Sequence, residues 1–506
     1  MPDAGELSWP ATMARSNSSR QRHHSLLFPS LLLPLLISST TPAAAADAAE
    51  DAAAISRFRQ YLQINTSQPN PDYAGATEFI LALAREQALD SEVLEFVPGK
   101  PLVLLKWPGR DSSLPSVLLN SHTDVVPVEP HKWAHPPFSA DVDPATGHVY
   151  ARGSQDMKCV GTQYLEAIRR LTAAGFVPDR TVYLSFVPDE EIGGRDGAEM
   201  FAASDRFRDL GVGVVLDEGL PSTGGEYRVF YGEKSPWWTV IRAFGAPGHG
   251  AKLYDNSAME NLMKSVEVIR RFRAAQFDLV KAGVKTEGEV ISVNMVYLKA
   301  GTPSPTGFVM NLQPSEAEAG LDIRVPPTVD IEALEKRLTE EWAPSSRNMT
   351  LEFKLKSSVH DMFGKPAVTS VDSSNPWWTL LEGAVKKSNG RLNKPEIFPA
   401  STDARFFRKR GLPAFGFSPI SSTPSLLHDH NEVRPPVSYR STTSPGLPSR
   451  QSETRGQTQP QAVVWLDYGP TPVFPTRLRN RVRRGSENIL AGPHRDIPNS
   501  AGSGLS

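Results

Sequence analysis

Ser121-His122-Thr123-Asp124-Val125-Val126 follows the apolar run Val117-Leu118-Leu119. That run reads as the end of a buried strand. Side chains two apart on a strand share a face, so His122 and Asp124 point the same way at the strand's carboxyl end. Open α/β sheets build their sites there. A histidine can bind a metal through one ring nitrogen while a carboxylate holds the other N–H. On this reading His122 is a ligand and Asp124 its orienter. The plainer reading is a capped turn after a strand, and it is the usual one for an isolated His-x-Asp. The rest of the chain decides between them.

Downstream, a proline-bearing loop over 127–144 leads to Val149-Tyr-Ala-Arg-Gly-Ser-Gln-Asp156-Met-Lys158. Asp156 opens a helix with apolar positions Val160, Tyr164, Ile168 and Leu171. It reads either as an N-cap or as a carboxylate presented to a cleft. A buried strand over 181–187 runs into Pro188-Asp189-Glu190-Glu191-Ile192-Gly193-Gly194, and one over 212–216 into Asp217-Glu218-Gly219. Packed carboxylates repel unless a cation or a shared proton intervenes. Each of these acids ends an apolar run or opens a helix, which is not how solubility charge is distributed. Leu426-Leu-His428-Asp-His430-Asn-Glu432 adds a histidine cluster at an expected strand-to-helix turn.

Upstream, 53–89 has helical spacing with a Pro69-Asn70-Pro71 break, and strands are expected over 93–96 and 102–106. Between 237 and 356 the order is β-α-β-β-α-β, that of a ferredoxin-like unit. Its helices are expected over 257–272 and 331–342. The fold class is therefore α/β with a central mixed sheet and an inserted second domain. The divisions are 47–234 and 357–433 for the main domain, 235–356 for the insert, and 434–506 for a polar, disordered tail.

The chain has 506 residues, with 54 Lys+Arg against 56 Asp+Glu. That balance gives no electrostatic reason to expect nucleic acid. One cysteine, Cys159, excludes an intrachain disulfide and reads as a small buried hydrophobe. Arg20-Gln-Arg22, the apolar stretch 25–37 and Ala43–Ala46 resemble a signal peptide within residues 1–46. The alternatives are a disordered extension or a wrongly assigned start. A genuine signal implies the secretory pathway, where the sequons at Asn65 and Asn348 would matter; otherwise the chain is cytoplasmic. No stretch is long and apolar enough for a stable membrane span.

Histidines with several carboxylates suit two divalent ions held by nitrogen and oxygen. A bridging carboxylate must join the ions, and a further carboxylate must take a proton from water. The adjacent Glu190 and Glu191 offer that division: one binds and the other acts as base. No Gly-x-Ser-x-Gly element or phosphate-binding glycine loop competes.

The motifs at 121–126, 151–158, 186–194 and 216–219, with Ser235-Pro-Trp-Trp238, together resemble the aminoacylase-1 family. These are zinc N-acyl-amino-acid amidohydrolases related to zinc carboxypeptidases and succinyl-diaminopimelate desuccinylase. The resemblance covers roughly 53–433 and implies a zinc-peptidase-like catalytic domain with an inserted dimerisation domain. It implies two zinc ions: His122 and Glu218 on the first, Glu191 and His428 on the second, Asp156 bridging, and Glu190 as general base. Gly245-Ala-Pro-Gly-His249 resembles the loop whose histidine reaches the partner's active site in a homodimer. Asn311 and Arg405 match positions that hold substrate carboxylate or oxyanion. The activity implied is hydrolysis of a small N-acyl-L-amino acid. Alternatives are a dipeptidase, carboxypeptidase or amide-conjugate hydrolase of the same chemistry, or a catalytically weak isoform serving as a dimerising partner.

Overall fold

The structure is a computed structural model that describes residues 42–435, with side chains from residue 49. Of the signal-peptide reading of 1–46, residues 1–41 lie outside the described residues and 42–46 belong to the first helix; of the disordered-tail reading of 434–506, residues 436–506 lie outside them, while Arg434 is buried in a short strand. Two helices come first, Pro42–Gln63 and Tyr73–Glu86. The Asp72 carboxylate caps the second by accepting from the Gly75 N–H.

An eight-stranded mixed sheet is the scaffold. Its order is Asp90–Glu95, Pro101–Trp107, Val182–Val187, Ser116–His122, Val212–Asp217, Ala414–Gly416, Phe230–Glu233 and Glu396–Phe398. The four strands from 182–187 to 414–416 run parallel to one another, so their carboxyl ends meet along one edge. His122 stands level with Val187, and Gly416 with Asp217. Alternate side chains feed two cores, as a sheet covered on both faces requires. Val117, Leu184 and Val214 pack with Phe58, Ile80, Ile168 and Leu381. Leu118, Val187 and Val215 pack with Phe201, Phe207 and Phe407. Gly161, on the helix Lys158–Ala173, lets that helix lie close to the central strand. A Cβ there would stand 2.7 Å from Phe186 Cε1 and 2.8 Å from Ser121 Oγ.

The insert is a second sheet of four antiparallel strands, in the order Ser292–Ala300, Glu316–Val325, Ser235–Phe244, Met349–Lys356. With the helices Ala258–Lys281 and Ile331–Arg337, that strand order is the ferredoxin-like arrangement. Leu262, Ile269, Leu334 and Trp342 fill its core against Ile241 and Ile323. The insert's first and last strands are neighbours. Trp237 pairs with Lys356, and the Ser357 N–H donates to Pro236 O.

Three elements differ from the sequence reading. The first insert helix continues past Phe272 to Lys281, because its last turns face solvent and carry no apolar repeat; Gly283, at φ +66°, follows it. The second loosens at Leu338–Trp342 into a wider-turn helix that seats Trp342 wholly in the core. After His428 there is no helix among the described residues, only the short strand Val433–Arg434 paired with Val149–Tyr150. The buried Glu432 carboxylate draws this segment back onto the loop before Asp156. No described helix is long and apolar enough to cross a membrane.

Candidate metal centre

The parallel strand ends bring His122, Glu190, Glu191 and Glu218 together, and the loops at Asp156 and His428 close over them. His122 Nε2 lies 3.0 Å from Asp156 Oδ1 and 3.8 Å from Glu218 Oε2. His428 Nε2 lies 3.2 Å from Asp156 Oδ2 and 3.1 Å from Glu191 Oε2. Asp156 thus turns one oxygen to each imidazole, the disposition of a bridging carboxylate. Donors about 2.0 Å from one tetrahedral ion stand about 3.3 Å apart, and these separations bracket that value. Glu191 Oε1 is buried without a hydrogen-bond partner among the described residues, as a lone pair aimed at a cation would be. The residues fit a pair of divalent ions. His122, Glu190 and Glu218 also have donor atoms within 4.8 Å of one another, as do His122, Asp156 and Glu191.

Without ions the cluster holds protons. Burial pushes the Glu190 carboxyl up to about 8 and the Glu191 carboxyl to about 7, and it raises Glu218 well above its usual range. Hydrogen bonds to Asp156 and Glu191 raise His428 to about 10. Burial works against the Asp156 anion, yet the two imidazoles outweigh it and hold that carboxyl low. The pH consequence has a definite sign. The unfolded chain loses its glutamate protons near pH 4.5, whereas the folded, ion-free chain keeps several until pH 7 or above. The histidines, raised above their unfolded pKa, act in the same direction. The folded state therefore binds more protons between about pH 5 and 7, and stability falls as pH rises through that window. Thermal melts of ion-free protein should show this decline, and zinc should abolish it. A rise in melting temperature over the same window without ions would overturn the assignment.

Asp124 acts differently from a simple orienter. His122 Nδ1 lies 2.9 Å from the Asp124 main-chain oxygen and 3.5 Å from its carboxylate. The carboxylate accepts from the N–H groups of Glu190 and Glu191 and from Gln68 Nε2. The strand ends at His122, and the Asp124 carboxylate serves the ring and the glutamate turn at once. Arg405 lies 3.7 Å from Glu190 Oε1, and its other guanidinium nitrogen donates to Gly193 O at 2.8 Å. His249 and Asn311 come together elsewhere, on the exposed two-stranded ribbon of the insert. Among the described residues no hydrogen bond or ion pair joins either one to the cluster.

Sequence reasoning missed several members of this site. Gln68 bonds both Asp124 and the Tyr73 hydroxyl, which accepts from the Asp189 N–H. Glu233 fixes the 402–408 turn by accepting from Thr402 N–H and Oγ1 and from Arg408. Asp403 is fully buried beside Gly194, and neither carboxylate oxygen has a hydrogen-bond partner among the described residues. Only Asp403 had a signal, as an acid within Ala400-Ser-Thr-Asp-Ala-Arg405.

Residues 118–437 match peptidase family M20/M25/M40. The chain belongs to this family. Mouse (Mus musculus) Aminoacylase-1 is 46% identical over 380 residues, covering 75% of this chain and 90% of that protein. The fold of this M20 chain matches aminopeptidase PepT from Bacillus cereus at a TM-score of 0.58 and 14% identity, over 82% of this chain and 98% of that one. It also matches a Bacillus subtilis dinuclear metal binding peptidase of the M20 family at a TM-score of 0.50 and 17% identity, over 74% and 94% of the two chains. The mixed central sheet is thus the M20 peptidase fold.

Proposed function

We propose that this M20 chain is a two-zinc amidohydrolase that cleaves N-acyl-L-amino acids to a carboxylate and a free L-amino acid. The observation that carries the reading is Asp156 turning one oxygen to His122 and the other to His428, with Glu190 alongside and facing Arg405. The substrate class is supported by the extensive identity to Aminoacylase-1, and zinc by a donor set that mixes two imidazoles with carboxylates. His122 and Glu218 would hold one ion, His428 and Glu191 the other, and Asp156 both. Bound zinc supplies Lewis-acid polarisation of the scissile carbonyl and lowers the pKa of water. The Glu190 carboxylate takes the proton from the attacking water and returns it to the departing amine. Arg405, fixed by Gly193 O, offers its charge to the substrate's carboxylate. Asp124 keeps the Glu190–Glu191 turn and His122 in register through its three donors and its own main-chain oxygen.

His249 and Asn311 enter this reading through a homodimer. Among the described residues the edge strand 292–300 has one side unpaired, and it exposes Val296 and Leu298. Two copies joined along it would let His249 of the partner subunit reach this site and donate to the tetrahedral oxyanion. The deciding assay is release of methionine from N-acetyl-L-methionine by the zinc-loaded chain, with a chelator control. Chelator-sensitive release is expected. A folded, two-zinc protein that leaves this substrate intact while cleaving dipeptides would replace the aminoacylase reading with a dipeptidase one.

A further inference from the structure

The segment bearing His428 is unusual for a metal-binding element. His428 has φ +63° and Asn431 φ +57°, both in the left-handed region. Its side chain is 57% exposed, whereas those of His122 and Asp156 are 1% and 7% exposed. Little packing holds this ring, so something else must fix its loop. Asn431 Oδ1 accepts from the Ala134 N–H at 2.6 Å and His430 Nε2 lies 3.5 Å from Glu129, but most of the loop's polar attachments converge on the segment preceding Asp156, about 270–280 residues earlier in the chain. Glu432, wholly buried, is the centre of that convergence. Its Oε1 accepts from the backbone N–H groups of Gln155 at 2.5 Å and Asp156 at 3.2 Å. Its Oε2 accepts from Arg152 Nη1 at 2.8 Å and the Gly153 N–H at 3.1 Å. Four donors from one loop thus saturate one carboxylate on the other.

Two side chains complete the join from the opposite direction. Gln155 Nε2 donates to Val433 O at 2.7 Å and Pro424 O at 3.1 Å, while its Oε1 accepts from the Leu426 N–H at 2.9 Å. Arg152 Nη2 reaches His428 O at 3.4 Å. Gln155 therefore brackets the His428 loop on both sides, and Glu432 fixes the backbone of Asp156 itself. Groups that bond to the backbone of ligand-bearing loops set where the ligand atoms stand, and their loss typically costs about 10–100-fold in metal affinity.

We propose that Glu432 and Gln155 are positioning residues that clip the His428 loop to the Asp156 loop and so set the affinity of the ion held on the His428 side. The proposal rests on the two-ion reading above and adds to it the element that holds the second site together. The experiment titrates zinc into ion-free protein against a chromophoric chelator, resolving two binding steps, for the parent chain, Glu432→Ala and Gln155→Met. Gln155→Met removes only side-chain bonds to the His428 loop and leaves the Gln155 N–H on Glu432. It is expected to weaken one step about 10-fold and leave the other within about 3-fold. Glu432→Ala frees Asp156 as well, so it should weaken one step by about 10–100-fold and measurably weaken the other. Circular dichroism and melts of the ion-free proteins establish folding; if Glu432→Ala does not fold, Gln155→Met decides by the same criterion. Two steps unchanged in Glu432→Ala, or both weakened equally in Gln155→Met, would overturn the clip while leaving the two-ion reading intact. A parent chain that takes up fewer than two zinc ions would overturn both.

Discussion

Glu190→Gln should keep both zinc ions and lose turnover on N-acetyl-L-methionine by about 10³-fold, within the range that positioned general bases contribute. The substitution is nearly isosteric and removes only the capacity to take a proton. Ion binding should survive because Glu191, not Glu190, has an oxygen 3.1 Å from His428 Nε2. Glu190 Oε1 instead has Arg405 Nη1 at 3.7 Å. The two adjacent glutamates are so close to His122 that the opposite division of labour is a real competitor. Metal content separates them. A Glu190→Gln protein with one zinc would mean that Glu190 is a ligand and that Glu191 moves the proton. Two zincs with near-normal turnover would remove Glu190 from the proton transfer altogether.

Asp156→Ala should have the wider effect, because a single carboxylate faces both imidazoles. Removing Glu218 or Glu191 strips one oxygen from one ion; removing Asp156 strips one from each. Zinc titration is therefore expected to show both steps weakened together, and turnover should sit at the level of the chelator-treated parent. The ion-free protein should also melt lower than the parent, since His122 and His428 lose the anion that raises their proton affinity. One binding step surviving at parental affinity would show that Asp156 serves a single ion.

Much of this site can be read in the chain because it sits where the chemistry of parallel strands puts it. An apolar run that ends in a histidine or in paired acids marks a strand's carboxyl end. Three such runs, ending at His122, Val187 and Asp217, are neighbours in the sheet. What could not be read has physical reasons. Gln68 lies in a polar connection between two helices, and nothing local distinguishes it from a solvated glutamine until the fold sets it against Asp124. The far end of the first insert helix has no fully buried residue beyond Ile269 and so lacks the apolar repeat that marks the first part. Glu432 stands out in the sequence only as an acid near a histidine, and its four donors come from a loop 276 to 280 residues away. Asp124 shows a subtler limit. Strand periodicity puts its side chain beside His122, where its carboxylate lies 3.5 Å from the ring, but gives no sign that the same carboxylate also takes the N–H groups of the glutamate turn.

The insert departs from and returns to the parent sheet at adjoining points, where Trp237 pairs with Lys356 and Ser235 Oγ donates to Ser358 O. A gap that small closes with a short turn and little entropy. In evolutionary terms the insert is a cassette: recombination at 234 and 357 can exchange or delete it without breaking the sheet that holds His122, Glu191 and Glu218, or the loop contacts that hold Asp156 and His428.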